Sequence, residues 1–132
     1  MQKLGVDVIK HISSIPAGQA RDDEIQRLAI EMLNAIKEFH SMTNSTQNNI
    51  STDHFLMQGK RLCMISFGLT SSLISQGSHI EMQRDIPLVQ NFRYASHWAH
   101  EGLSSSRRDD IEMLCYVILR MLKPNPQEEL WR

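Results

Sequence analysis

The fourteen residues DDIEMLCYVILRML, Asp109 to Leu122, constrain the fold more than any other stretch. Asp109 or Asp110 can cap a helix start, and Pro124 with Pro126 prevents the helix from continuing. Ile111, Leu114, Cys115, Val117, Ile118, Leu119, Met121 and Leu122 leave it almost no polar face. A helix apolar nearly all round is expected to be buried on all sides. The rest of the chain must therefore supply walls for it.

One wall is readable upstream. Ile25, Leu28, Ala29, Met32, Leu33, Ile36 and Phe39 recur at spacings of three and four, which predicts an amphipathic helix over 21–42. Asp22, Asp23 and Glu24 place negative charge at its positive end. A short helix is expected from about Asp7, stopped by the turn at Pro16 to Gly18. After the long helix, SMTNSTQNNISTD is rich in side chains that bond to nearby backbone and favour turns, so 43–54 reads as a loop. HFLMQGKRLCMI then offers two short apolar runs about Gln58-Gly59-Lys60, a β-hairpin over 54–65. Residues 66–96 lose all periodicity and read as one long loop, a length usually reserved for functional or mobile segments. The fold class is mainly α with a small β-hairpin, α+β, in a single domain over 1–132.

Bulk properties narrow the function. With 14 basic and 15 acidic side chains the net charge is −1, which lacks the clustered excess of Lys and Arg that nucleic acid or a membrane surface attracts. No apolar run approaches the ~18 residues of a membrane span, and no signal-peptide core follows Met1. Cys63 and Cys115 both sit in apolar segments and read as reduced core thiols, so an intracellular protein is expected, cytoplasm and nucleus being indistinguishable.

The stretch FRYASHWAHEGLSSSRRDDIEMLCYVI, Phe92 to Ile118, resembles the casein kinase I and vaccinia-related kinase group. Members of that group carry a similar Arg-Tyr-Ala-Ser, a His and a Gly soon after, and then a Ser-Arg-Arg-Asp cluster leading into an apolar helix. Leu4-Gly5 looks like the group's hinge, within a hinge-like start over 1–6. The resemblance covers nearly the whole chain and implies a partial kinase C-lobe, without the N-lobe and the last helices. Loop 43–54 then takes the place of the catalytic loop, 66–96 that of the activation segment, and 109–122 that of a helix which later helices enclose.

Carried over position by position, the resemblance puts Asn49 where the family has its catalytic aspartate, Ser51 at the lysine, His54 at the metal-binding asparagine and Ser66 at the metal-binding aspartate before Phe67-Gly68. An amide is too weak a base to take a hydroxyl proton. A serine offers no positive charge to a transferring phosphate. A histidine nitrogen is a poor donor to magnesium. The implied reading is a catalytically inactive, pseudokinase-like scaffold with no cofactor and no metal, in which Phe67 and Gly68 pack and turn the backbone.

Two smaller constellations have alternative readings. His97 and His100 share one helical face but lack the Cys or carboxylate partners of a zinc pattern. Arg93, Arg107 and Arg108 beside Ser104 to Ser106 suit either an anion site or a brace against Asp109, Asp110 and Glu112, with bracing preferred. The resemblance implies that Asp110 anchors the catalytic loop's backbone.

The expected partner is a protein or a second copy of the chain, docking on Ile111, Leu114, Ile118, Leu122 and Trp131. The alternative is a fragment of an atypical serine/threonine kinase of the casein kinase I group whose ATP-binding parts lie elsewhere.

Overall fold

The structure is a computed structural model and describes residues 5–88 and 91–130. Leu4 and Trp131, both singled out above, lie outside the described residues.

The chain begins along the hairpin. Gly5 N–H donates to the Met57 carbonyl at 2.8 Å and Met57 N–H donates to Val6 at 2.9 Å. A Cβ on Gly5 would stand 2.3 Å from that carbonyl oxygen, so only glycine allows this approach. Helix α1, Val8–Ser13, follows, with the Asp7 carboxylate accepting from Lys10 N–H at 2.9 Å. Helix α2, Gln19–Thr43, is the longest element and buries Ile25, Leu28, Met32, Ile36 and His40 at spacings of three and four. Asn44, at φ 48°, ends it in the left-handed conformation.

Strand β1, Ser45–Thr46, leads into the loop and a 3₁₀ turn at Thr52–His54. Strands β2, Phe55–Gln58, and β3, Arg61–Met64, pair antiparallel with Phe55 opposite Met64 and Gln58 opposite Arg61. The two-residue turn has positive φ at Gly59 and not at Lys60, the pattern of a type II′ hairpin. Strand β4, Ser71–Ser72, pairs with β1, and β5, Ile74–Ser75, pairs with β6, Ser78–His79. The segment expected to be one irregular loop thus carries three short strands. Two-residue strands of serine, isoleucine and histidine are too short to leave a periodic trace in sequence. Helix α3, His97–His100, and helix α4, Arg107–Met121, complete the described fold.

One core joins these elements: Val8 and Ile12 from α1, the buried row of α2, Phe55 and Met57 from β2, Tyr94, and Met113, Leu114, Val117 and Met121 from α4. The arrangement is the mainly helical α+β class expected, consistent with a partial kinase-like fold.

The expectation for α4 needs correction. Only one face is buried; Leu119 is 50% exposed, Leu122 55%, and Cys115 is exposed instead of being a core thiol. Hydrophobic character all round a helix states what burial would favour, and the described chain covers half of it. Among the described residues, no helix is long and apolar enough to cross a membrane.

Candidate functional site

The site is built from the start of α4 inward. Asp109 and Asp110 occupy its first turn and are 1% and 0% exposed. Asp109 accepts from the Ser96 hydroxyl at 2.6 Å and from Ser106 N–H at 2.7 Å, tying the start of α3 to the start of α4. Asp110 accepts Gln47 N–H at 2.7 Å and His40 Nε2–H at 2.7 Å on one oxygen, and Asn48 N–H at 2.9 Å on the other. Three donors from α2 and the loop therefore converge on a carboxylate that water does not reach. A buried charge is tolerated only when its lone pairs are filled this way.

The expected brace of arginines is not what these carboxylates meet. Among the described residues their partners are serines, a histidine and backbone N–H groups. Arg107 and Arg108 are exposed at the helix start, and Arg93 pairs with Glu129 at 2.6 Å. Glu112 accepts from His97 N–H at 3.1 Å and from the Tyr116 hydroxyl at 2.6 Å, a bond that holds the Tyr116 pKa above its ordinary value, with burial adding to it. The aspartates turn inward on the first turn while the arginines face water, where a guanidinium needs no burial.

The loop then closes on itself. The Gln47 amide donates to the carbonyls of Ile65 and Ser66 at 3.1 and 2.8 Å and accepts Asn49 N–H at 2.6 Å. Asn48, at φ 67°, donates to the Leu69 carbonyl and the Ser71 hydroxyl, both at 2.9 Å. His54 Nδ1 lies 2.7 Å from the Asn49 carbonyl, which can only accept, so this nitrogen carries the proton. Ser51 Oγ, 3.1 Å from the same nitrogen, gains no base from it and is not an activated nucleophile. Asn49, Ser51, His54 and Ser66 are thus gathered about one loop by backbone and amide bonds.

The left-handed residue after β3 is Ser66, at φ 68°, and not Gly68, so the turn expected of Gly68 is made two residues earlier. Phe67 packs against Phe39 in a tilted arrangement with ring centroids 5.2 Å apart.

Beside the loop lies an open cavity of about 560 Å³ lined by Asn49, Ser51, Asp53, His54, Tyr94 and Arg120, among others. Arg120 donates to the Tyr94 hydroxyl at 2.8 Å and to Thr52 at 3.3 Å, and faces Glu129 at 3.3 Å. Burial works against its charge, but the Tyr94 hydroxyl and Glu129 outweigh that and raise its pKa above the ordinary arginine value. Among the described residues, no group of three or more His, Cys, Asp or Glu side chains could hold a metal ion.

The second feature is the outer face of α4. Leu114 is 2% exposed and belongs to the core, so it is not available to a partner. Ile111 and Ile118 are half-buried against that core, and Leu122 is exposed. Leu119 joins Leu122 on the wet side. Two further residues went unnoticed as surface. Ile30 and Leu33 on α2 are 54% and 46% exposed, Leu33 having been read as part of the buried stripe.

Comparison with known proteins fits this picture of a kinase-like segment. The chain is similar to Pseudokinase OPG198 of monkeypox virus. The two are 29% identical over 113 residues, which is 85% of this chain and 39% of that protein. This chain therefore spans well under half the length of that relative. No protein-family model matches it.

Proposed function

We propose that this chain is a catalytically inactive, kinase-like C-lobe segment of the casein kinase I and vaccinia-related kinase group that works by binding protein through the outer face of α4. Its similarity to a protein named a pseudokinase supports the first half. The chemistry of the loop agrees. With Asn49 at the family's catalytic position, the side chain there is an amide and not a base, and the His54 nitrogen nearest Ser51 is already a donor.

The observation that carries the binding half is the exposure of Leu119 and Leu122, about half in solvent on a helix whose other side is core. A leucine is worth roughly 1.5–3 kcal/mol when fully buried. Covering the remaining half of both side chains would contribute about 1.5–3 kcal/mol towards a protein contact. Polar or charged residues at 119 and 122 would be expected on a helix face made for water.

A photo-crosslinking amino acid at position 119 tests the reading, with the same group at the exposed Lys10 of α1 as control. A discrete protein adduct at 119 and none at 10 is expected. Equal labelling at both positions, or none at 119, would count against the face as a binding site.

A further inference from the structure

The exposed apolar face of α4 continues onto α2. The two helices run antiparallel: Arg21, near the start of α2, reaches the Pro124 carbonyl beyond the end of α4 at 3.5 Å, and His40, near the end of α2, meets Asp110 in the first turn of α4 at 2.7 Å. His40 marks the flank of α2 that faces α4, and Leu33 lies on the same flank two turns earlier. On α4, Arg120 and Glu112 mark the far flank by their bonds to Tyr94 and His97. Leu122 and Ile118 are therefore on the flank towards α2, whereas Leu119, seven residues from Glu112, points away from it.

Along α2 this edge has a particular order. Asp23, Gln26, Ile30, Leu33 and Lys37 follow at spacings of three, four, three and four, the seam of a two-helix contact. All five are exposed. The seam is acidic at its start, apolar in the middle and basic at its end, and Ile30 stands seven residues from both Asp23 and Lys37. A strip with that order is its own complement when reversed. Among the described residues, the ion pairs of α2 belong to Glu24, Arg27, Glu31 and His40, and none involves Asp23 or Lys37; Asp23 takes only the Gln19 amide, at 2.8 Å.

We propose that the occupant of this face is a second copy of the chain, the two α2 helices meeting antiparallel about a two-fold axis near Ile30. Asp23 of each copy then faces Lys37 of the other, so one charge pair is formed twice. Such an isologous contact needs no second surface. Ile30 and Leu33 alone cover too little for a standard interface of about 800 Å² per partner. Ile118 and Leu122 on the adjoining helix extend the apolar patch towards that size. The inference rests on the reading of α4 as a protein-binding face and adds the identity of the partner.

Sedimentation velocity over a concentration series, in low salt, tests it on the full chain and on Asp23→Lys, Lys37→Asp and the double variant. Circular dichroism checks that each remains helical. The wild type is expected to self-associate. Each single reversal opposes like charges twice and weakens association by about tenfold or more, a factor worth about 1.4 kcal/mol. The double variant restores it to within about threefold. A wild type that stays monomeric at every concentration overturns the pairing. So does a dimer indifferent to both single reversals. If that dimer is lost in Leu119→Ser/Leu122→Ser, or if a monomer still crosslinks through position 119 to another protein, the α4 face stands and only the α2 pairing fails. A monomer without adducts rejects both.

Discussion

At the scale of the residue, Asp110 holds the loop in place. Its two oxygens take one donor from α2 and two from the loop backbone, 62 to 70 positions away in sequence. Replacing it with alanine leaves Gln47 N–H, Asn48 N–H and the His40 ring without a buried acceptor. Breaking a buried, charge-assisted arrangement in this way costs about 3–5 kcal/mol, a large share of the roughly 5–15 kcal/mol that holds a domain. Urea denaturation of Asp110→Ala should show an unfolding free energy lowered by that amount, whereas Leu119→Ser, on the wet face, should stay within about 0.5 kcal/mol of wild type. The role of Asp110 was readable only through the resemblance. His40 was not readable at all, because a single histidine at the end of an amphipathic stripe looks like any solvated side chain until the aspartate across from it is placed. The arginine brace failed for a related reason. Adjacent opposite charges in sequence suggest a pair, but helical geometry sends neighbours to different faces.

At the scale of the element, a charge network joins α1, α2 and the hairpin. Arg27 holds Glu24 and donates to Glu31 at 3.0 Å and to the Lys60 carbonyl at 3.3 Å, while His11 reaches Glu24 at 3.2 Å. The Arg27 hydrogen bond lowers the Glu24 pKa below 4.5, burial opposing it and His11 assisting. A carboxyl whose pKa is depressed by folding contributes stability that is present above the unfolded value and lost as pH falls through the folded one. Unfolding midpoints measured from pH 6 downward should therefore fall more steeply below about pH 4.5 for wild type than for Glu24→Gln. Equal slopes would mean the network adds nothing. The helix itself was legible: α2 runs Gln19–Thr43 where periodicity predicts 21–42, and the hairpin closes at Gly59 as its sequence implies. Periodicity is a local property, so it survives without knowledge of the fold. The pairing of β1 with β4 is not local, and its serines carry no pattern to reveal it.

At the scale of the whole molecule, a small core organises a loop held by backbone and amide bonds and leaves apolar residues exposed on α4 and α2. Sequence composition could state that α4 was too apolar for water on every side; it could not say which half the chain itself would cover. Under the proposed function, the exposed half is the working surface and the loop a support. That division of labour predicts indifference to nucleotide. The measurement that tests it most directly is the melting temperature of the purified chain with and without ATP and magnesium. A ligand at a hundred times its dissociation constant would add about 2.7 kcal/mol, a rise of roughly 5 °C or more in a domain of this size. The account predicts no change; a saturable, magnesium-dependent rise of that order would contradict it.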